Sequence, residues 1–153
     1  MAYADNASKT VVVVNTEFPI PTIANAIAHA VLGLAGSSSR DMWNLLTYPS
    51  PAFSSESHIS EFPIIILRAK RSAALEKLAG ALRDNDILHN IFIDSMIGAS
   101  AADQQAATLG ATAGLNKLIC VALFGREEEI RPHIKSFSLY KESDSFRNAA
   151  QTE

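Results

Sequence analysis

The feature that most constrains the fold is a set of continuous apolar runs. The first is Lys9–Thr16, KTVVVVNT, and similar runs recur at 63–69 (PIIILRA) and within 115–125 (LNKLICVALFG). Runs rich in β-branched residues, without polar residues at alternate positions, are typical of strands that are covered on both faces, as in a parallel or mixed sheet. The sequence therefore predicts a sheet with helices packed on both sides.

Helical patterns separate these runs. They predict helices at 21–36, 72–83, 101–109 and 126–137, the last limited or kinked by Pro132, with a further strand at 87–94 and an edge strand at 137–141. Residues 37–62 resemble a long loop, in which LLTYP is a candidate for a short strand. This alternation predicts an α/β fold, a three-layer α/β/α domain around a mixed sheet of four to five strands.

Composition narrows the class of protein. With 153 residues, of which 48% are hydrophobic, the chain is expected to form a single domain (1–153), with a core at 9–141 and a frayed polar tail at 142–153. The net charge of -3 disfavours nucleic acid as a partner. Its single cysteine excludes an intrachain disulfide, and neither a leader peptide nor a membrane span is expected, so a cytoplasmic location is the simplest.

Polar residues share one ridge of the first predicted helix, PTIANAIAHAVLGLAG. Thr22, Asn25, His29 and Gly33 recur at spacings of three and four residues, which return to the same side of a helix. His29 is a candidate acid or base because imidazole titrates near neutrality. Asn25 is a candidate for orienting a ligand. Structural roles remain open for both side chains: an imidazole bonded to a carbonyl, and an amide bracing a loop.

Further polar residues follow the predicted strands. Thr16 and Glu17 end the first strand, and Asp94 and Ser95 end the strand at 87–94. Open α/β sheets bind ligands at the carboxyl ends of strands, so these residues would line one crevice with the helix ridge if the two strands are parallel neighbours. Asp94 has an alternative role as the cap of the following turn.

Three segments carry a resemblance to a known family: VVVVNTEFPIPTIANAIAHAVLGL, FIDSMIGA and ICVALFGREEEIRPHIKSFSLY. Together they resemble the class II peptidyl-tRNA hydrolases, and are more similar still to a sister family of small proteins known as a domain of unknown function numbered two thousand. The Ala-His-Ala at 28–30 and the order of elements are the most specific features. The resemblance implies a peptidyl-tRNA hydrolase II-like fold.

The resemblance also assigns residues. Asp94 matches the catalytic aspartate of the hydrolases. Thr22 stands where they have a lysine at the start of the helix, and residues 95–98 replace the remainder of their Asp-Ala-Gly-x-Thr motif, so the catalytic threonine has no counterpart. The resemblance therefore carries over the fold more readily than the reaction.

These features lead to three functional hypotheses. The first is a protein that binds or transforms a small molecule, with His29 and Asp94 as candidate catalytic residues of a hydrolase-like activity and substrate contacts from five residues, Thr16, Glu17, Thr22, Asn25 and Ser95. The second is peptidyl-tRNA hydrolysis, with tRNA as the partner. The third is a non-catalytic interaction module, expected to be a homodimer, in which Trp43, Tyr48 and Phe53 cover a partner. No metal site or cofactor is expected.

Overall fold

The valine run near the N-terminus lies at the centre of a five-stranded mixed sheet. The computed structural model describes residues 7–98 and 100–141, and the predicted polar tail at 142–153 lies outside them. The helices and strands are β1 (Ser8–Asn15), α1 (Ile20–Gly36), β2 (Leu45–Ser50), β3 (Ser55–Ser60), β4 (Ile64–Ala69), α2 (Ser72–Asp84), β5 (His89–Ile93), α3 (Ala101–Leu109), β6 (Leu118–Arg126), α4 (Glu127–Ile134) and β7 (Ser138–Leu139).

The strand order of the main sheet is β5-β6-β1-β4-β7. β1 pairs in parallel with β4, with Val12 opposite Ile66, and antiparallel with β6, with Val12 opposite Ala122. β5 and β7 form the two edges, each antiparallel to its neighbour. The prediction of a mixed α/β sheet is confirmed.

Each face of the sheet has its own core. Val11 and Val13 pack with buried residues of α2 and α4, whereas Val12 and Val14 pack beneath α1. Successive side chains of a strand point to opposite faces, so a run of four valines supplies both cores. This explains why the strand pattern is continuously apolar rather than alternating.

The first helix begins and ends where its sequence predicts. Pro19 is the N-cap, and Pro21 lies in the first turn, where its missing N–H costs no intrahelical hydrogen bond. The apolar stripe is buried, and its four fully covered residues are Ile23, Ala26, Ala30 and Leu34. The opposite ridge, with Asn25 and His29, is exposed.

The segment at 37–62 differs from the predicted loop. It contains a β-hairpin, β2–β3, of which only the strand at LLTYP was considered, with short 3-10 turns before β2 and at the hairpin tip. Trp43 anchors the base of this hairpin: its Nε1 donates to Thr10 Oγ1 at 3.0 Å, and its ring packs on Phe124. Trp43 is therefore part of the core and does not face a partner, whereas Tyr48 and Phe53 are exposed.

The assumption that the first strand and the strand at 87–94 are parallel neighbours is wrong. β1 and β5 run in the same direction, but β6 lies between them. Their carboxyl ends therefore share one edge of the sheet without being adjacent. In the described ranges, no helix combines the length and hydropathy needed to cross a membrane.

Candidate functional site

A cavity of about 980 Å³ lies beside the edge strand β5, between α1 and α3. We call it the His29 cavity. Its lining residues are Asn25, His29, Asn90, Ile91, Phe92, Met96, Ile97, Gly98, Ala101, Gln104, Gln105, Thr108 and Leu109. Small-molecule sites usually occupy about 300–1,000 Å³ and combine apolar walls with a few polar groups, so this cavity lies at the large end of that range.

The inner wall consists of α1 and β5. Asn25 and His29 contribute to it from the exposed ridge of α1, as the helical spacing predicts. The His29 imidazole stacks on the Phe92 ring, with 5.6 Å between the ring centroids and 20° between the planes. Phe92 itself is almost fully buried. The imidazole therefore rests on a rigid aromatic support.

Asn90 joins β5 to α1. Its Nδ2 donates to the backbone carbonyl of Ala30 at 3.1 Å. This approach is possible because residue 33 is a glycine: a Cβ at Gly33 would lie 2.5 Å from Asn90 Nδ2. The glycine of the helix ridge thus serves the contact that fixes the cavity wall.

The outer wall is α3. Ala101, Gln104, Gln105, Thr108 and Leu109 all line the cavity from this helix. Sequence reasoning missed them, although their spacing of three and four residues is the same signal that revealed the ridge of α1. A side-chain hydrogen bond ties the helix to the turn after β5, with Thr108 Oγ1 and Ser95 Oγ 2.9 Å apart.

Asp94 is not among the lining residues of the cavity. Its Oδ1 accepts a hydrogen bond from Asn116 Nδ2 at 2.9 Å, and its Oδ2 accepts one from the backbone N–H of Lys117 at 3.0 Å. The carboxylate therefore braces the loop that enters β6. The structure does not bring Asp94 and His29 together in a shared lining, and the predicted catalytic role of Asp94 stays a prediction.

Three of the predicted contact residues, Thr16, Thr22 and Ser95, also lie outside the lining. Thr16 Oγ1 donates to the carbonyl of Ala69 at 3.2 Å, which ties β1 to the end of β4. Ser95 is joined to Thr108, and Thr22 is partly buried on α1. Of the seven predicted site residues, the structure places Asn25 and His29 on the cavity wall.

Glu17 belongs to a separate polar cluster at the carboxyl end of β1. The buried Asn15 donates through Nδ2 to Glu17 Oε2 at 3.2 Å and to the carbonyl of Leu118 at 3.0 Å. Lys117 Nζ lies 3.6 Å from Glu17 Oε1. The hydrogen bond from Asn15, assisted by Lys117, lowers the pKa of Glu17 below its ordinary value. This cluster holds the strand ends together.

The chemistry available in the cavity follows from its lining. Among its described lining residues, His29 is the one titratable side chain, and Asp, Glu, Lys and Arg are absent. Its polar groups are otherwise carboxamides and the Thr108 hydroxyl. Within residues 7–98 and 100–141, no three His, Cys, Asp or Glu side chains cluster in a way that could hold a metal ion. The cavity can therefore offer hydrogen bonds, an imidazole and an apolar surface.

Comparison with solved structures places the fold among known proteins. A protein of unknown function from Agrobacterium tumefaciens strain C58 superposes with a TM-score of 0.73 and 19% sequence identity, over 88% of this chain and 98% of that chain. At this identity the similarity concerns the fold alone. The comparison with curated proteins returns no match.

Comparison with family models covers almost all of the described chain. The model of the family described as "Protein of unknown function (DUF2000)" matches residues 8–141. This span includes both walls of the His29 cavity and the whole five-stranded sheet. The chain therefore belongs to the DUF2000 family.

Proposed function

We propose that the protein binds a small organic molecule in the His29 cavity, with His29 and Asn25 in contact with it. The observation that carries this proposal is the stacked pair of His29 and Phe92 on the wall of a cavity of about 980 Å³. An exposed imidazole on an aromatic support offers a flat face and two ring nitrogens to a ligand. The surrounding carboxamides can fix its orientation.

If the bound molecule is transformed, the ring nitrogens of His29 are the side-chain groups in this lining suited to donate or accept a proton. A hydrolase-like reaction through His29 and Asp94 would require the Asp94 carboxylate to act from outside the lining, through its neighbours. Ligand binding needs no such movement. It is therefore the function that the geometry supports best.

A pair of tryptophan substitutions on α3 tests the proposal. Ala101 lines the cavity, whereas Ala106, on the same helix, is exposed and is not among the lining residues. Ala101→Trp should fill the cavity, and Ala106→Trp should leave it open. A screen of small fragments by protein-observed NMR should give resonance shifts at Phe92 and Thr108 in the wild type and in Ala106→Trp, and should lose them in Ala101→Trp.

A second pair of variants tests the role of the imidazole. His29→Ala should lower the affinity of the fragments that bind in the cavity about tenfold, which corresponds to a loss of roughly 1.4 kcal/mol of binding free energy. His58, on the exposed strand β3, provides the control, and His58→Ala should leave their affinity unchanged. Fragments that bind elsewhere, or that bind equally well to Ala101→Trp, would refute a site in this cavity.

The exposed hairpin favours a second candidate, self-association. Tyr48 and Ile59 on the two strands are 48% and 52% exposed, and Phe53 in the turn at the tip is 81% exposed. An isolated two-stranded hairpin is at best marginally stable. Packing of this hairpin on the hairpin of a second copy would cover them in a homodimer. Light scattering after size-exclusion chromatography tests this. Tyr48→Ser with Phe53→Ser should convert a dimer to a monomer, and a wild type that is monomeric at high concentration would refute it.

Peptidyl-tRNA hydrolysis, and a fold of the class II hydrolase type, rest on the motif resemblance. The described lining of the His29 cavity contains no Lys or Arg to contact phosphates. A peptide-release assay with peptidyl-tRNA tests this hypothesis. Peptidyl-tRNA hydrolysis by the wild type that is lost in Asp94→Ala would support it.

A further inference from the structure

Two carboxamides of the His29 cavity have a fixed orientation. Asn90 Nδ2 donates to the carbonyl of Ala30 at 3.1 Å, and Gln104 Nε2 donates to the carbonyl of Gly98 at 3.0 Å. In each case the neighbouring group is an acceptor, so the amide nitrogen must face it and the amide oxygen must face away. Asn90 and Gln104 thus each keep an acceptor oxygen for which no donor lies in hydrogen-bonding range among the described residues.

These two residues stand on opposite walls. Asn90 belongs to β5 on the inner wall, and Gln104 belongs to α3 on the outer wall. Both are partly buried. A partly buried acceptor gains most from a ligand that donates to it, because leaving it unpaired when a ligand excludes water carries a penalty. A bound molecule should therefore present N–H or O–H groups toward both walls.

The formal charge of the ligand is constrained by the same lining. Among the described residues that form it, none carries a permanent charge. An anion or a cation bound against this lining would give up part of its water without gaining an ionic partner, so it would gain less from the hydrogen bonds there than a neutral molecule does. A neutral ligand avoids this cost.

The shape of the ligand follows from the apolar part of the wall. The imidazole of His29 lies nearly parallel to the ring of Phe92, and Met96, Ile97 and Leu109 supply further apolar surface. Aromatic rings prefer offset-stacked or edge-to-face partners at this range of separations. A planar ring makes better use of such a wall than a branched aliphatic group.

Resting on the proposed function, we infer that the ligand is an uncharged planar ring whose edge donates hydrogen bonds to Asn90 Oδ1 and Gln104 Oε1. This excludes two classes that α/β folds often bind, phosphorylated compounds and free carboxylic acids. It also sets the ligand apart from the polyanionic end of a tRNA.

Four probes that share one ring test the inference: benzamide, methyl benzoate, benzoate and benzamidine. Benzamide is neutral and donates, methyl benzoate is neutral and only accepts, and the other two are an anion and a cation at pH 7. Dissociation constants come from NMR titration of the Phe92 and Thr108 resonances. Benzamide should bind about tenfold more tightly than methyl benzoate, and the charged probes should bind more weakly than benzamide. Equal or tighter binding of methyl benzoate, benzoate or benzamidine would overturn the inference.

Two carboxamide variants assign the preference to a residue. Gln104→Leu removes one of the two oriented acceptors and should reduce the preference for benzamide over methyl benzoate, while the affinity for methyl benzoate stays nearly the same. Asn85→Leu changes an exposed carboxamide at the end of α2, outside the lining of the cavity, and should keep the preference in full. A preference that survives Gln104→Leu undiminished would overturn the inference.

Failure of the inference differs from failure of the proposed function. If benzamide shows no binding while other fragments still shift Phe92 and Thr108, the inference is overturned and the cavity remains a ligand site. If no fragment shifts these resonances, and Ala101→Trp behaves as the wild type does, both are overturned.

Discussion

The two helices that face each other across the His29 cavity are held in very different ways. α1 buries four residues against the sheet and spans 17 residues, whereas α3 spans nine residues and buries none. α1 packs against β1 and β6, and the buried side chains between them form one of the two cores. α3 is attached through the turn after β5, by the Ser95–Thr108 contact and the hydrogen bond from Gln104 to Gly98.

This difference indicates how the cavity would open. Segments with few buried apolar contacts open at a small fraction of the global unfolding free energy, and ligand-binding walls are often of this kind. The inner wall, with His29 and Asn90, should keep its geometry. The outer wall should be the part that moves when a ligand enters or leaves.

The largest effect is expected when a leucine of each helix is truncated to alanine and the two losses of unfolding free energy are compared. Leu34 in α1 is 1% exposed, and Leu109 in α3 is 91% exposed. Leu34→Ala should lower the free energy of unfolding by about 2–5 kcal/mol through a cavity in the core. Leu109→Ala should change it by less than about 0.5 kcal/mol. Urea denaturation of both variants gives the comparison, and similar losses would show that α3 is anchored as firmly as α1.

A pair of glycines in α1 tests the contact that fixes the inner wall. A Cβ at Gly33 would lie 2.5 Å from Asn90 Nδ2, whereas a Cβ at Gly36 has nothing within 4 Å. Alanine is favoured over glycine in a helix by about 1 kcal/mol, and this gain applies to both positions. Gly33→Ala should therefore be less stable than Gly36→Ala by about 1–2 kcal/mol, because it displaces the amide of Asn90.

The readout for this pair is the free energy of unfolding together with the Asn90 side-chain amide signals. Gly36→Ala should leave these signals in place. Equal stability of the two variants, with unchanged Asn90 signals in Gly33→Ala, would show that the Asn90 amide does not lie against Gly33 and does not fix the inner wall.

A smaller and local effect is expected at the start of α3. Ser100 is the N-cap, and its Oγ accepts from the backbone N–H of Asp103 at 3.2 Å. Ser100→Ala should cost about 1 kcal/mol within this helix. Hydrogen exchange of its amides should then accelerate roughly fivefold, while the melting temperature and exchange in α1 stay unchanged.

Ser39 supplies the control for the capping variant. It precedes the short turn Arg40–Trp43 and makes no side-chain capping hydrogen bond. Ser39→Ala should leave exchange in α3 as it is. A loss of global stability in Ser100→Ala would mean that α3 unfolds together with the core and is not a separate wall.

The smallest effect, absent near neutral pH, concerns the thiol beneath α1. Burial raises the pKa of Cys120 to about 12. Because the pKa is higher in the folded state, the protonated thiol contributes fully to folding stability below its ordinary pKa of about 9. This contribution to stability is lost as the pH rises toward 12. At pH 9.5 the wild type should have lost about 1 kcal/mol relative to Cys120→Ala, measured from the pH dependence of urea unfolding in both. Parallel curves would mean that water reaches the sulfur under α1.

The sequence predicted the main sheet well because strands that are buried on both faces consist mostly of apolar residues, and such runs are visible in the sequence. In β1 the four valines at 11–14 are fully buried, and the two buried polar residues beside them, Thr10 and Asn15, each have a hydrogen-bond partner. The hairpin β2–β3 was missed because its strands are not buried and no apolar run marks them. Most of its residues are exposed on both faces, and Pro49 and the serines of β3 resemble a loop.

The candidate site was predicted in part. The ridge of α1 was found because helical spacing is local, and Asn25 and His29 do share a wall. The partners across the cavity depend on strand order, which spacing does not encode. Asp94 was expected beside His29 on the assumption that β1 and β5 are neighbours, but β6 arrives later in the chain and takes the place between them.

That late arrival has a consequence for biosynthesis. The central pair joins Val12 to Ala122, so β1 is synthesised well before β6, the strand that pairs with one of its two sides. Until β6 has been made, that side of β1 lacks its partner strand, and unpaired strand edges of this kind promote aggregation. Such distant pairing also raises the contact order, so refolding should be slow for a chain of this length.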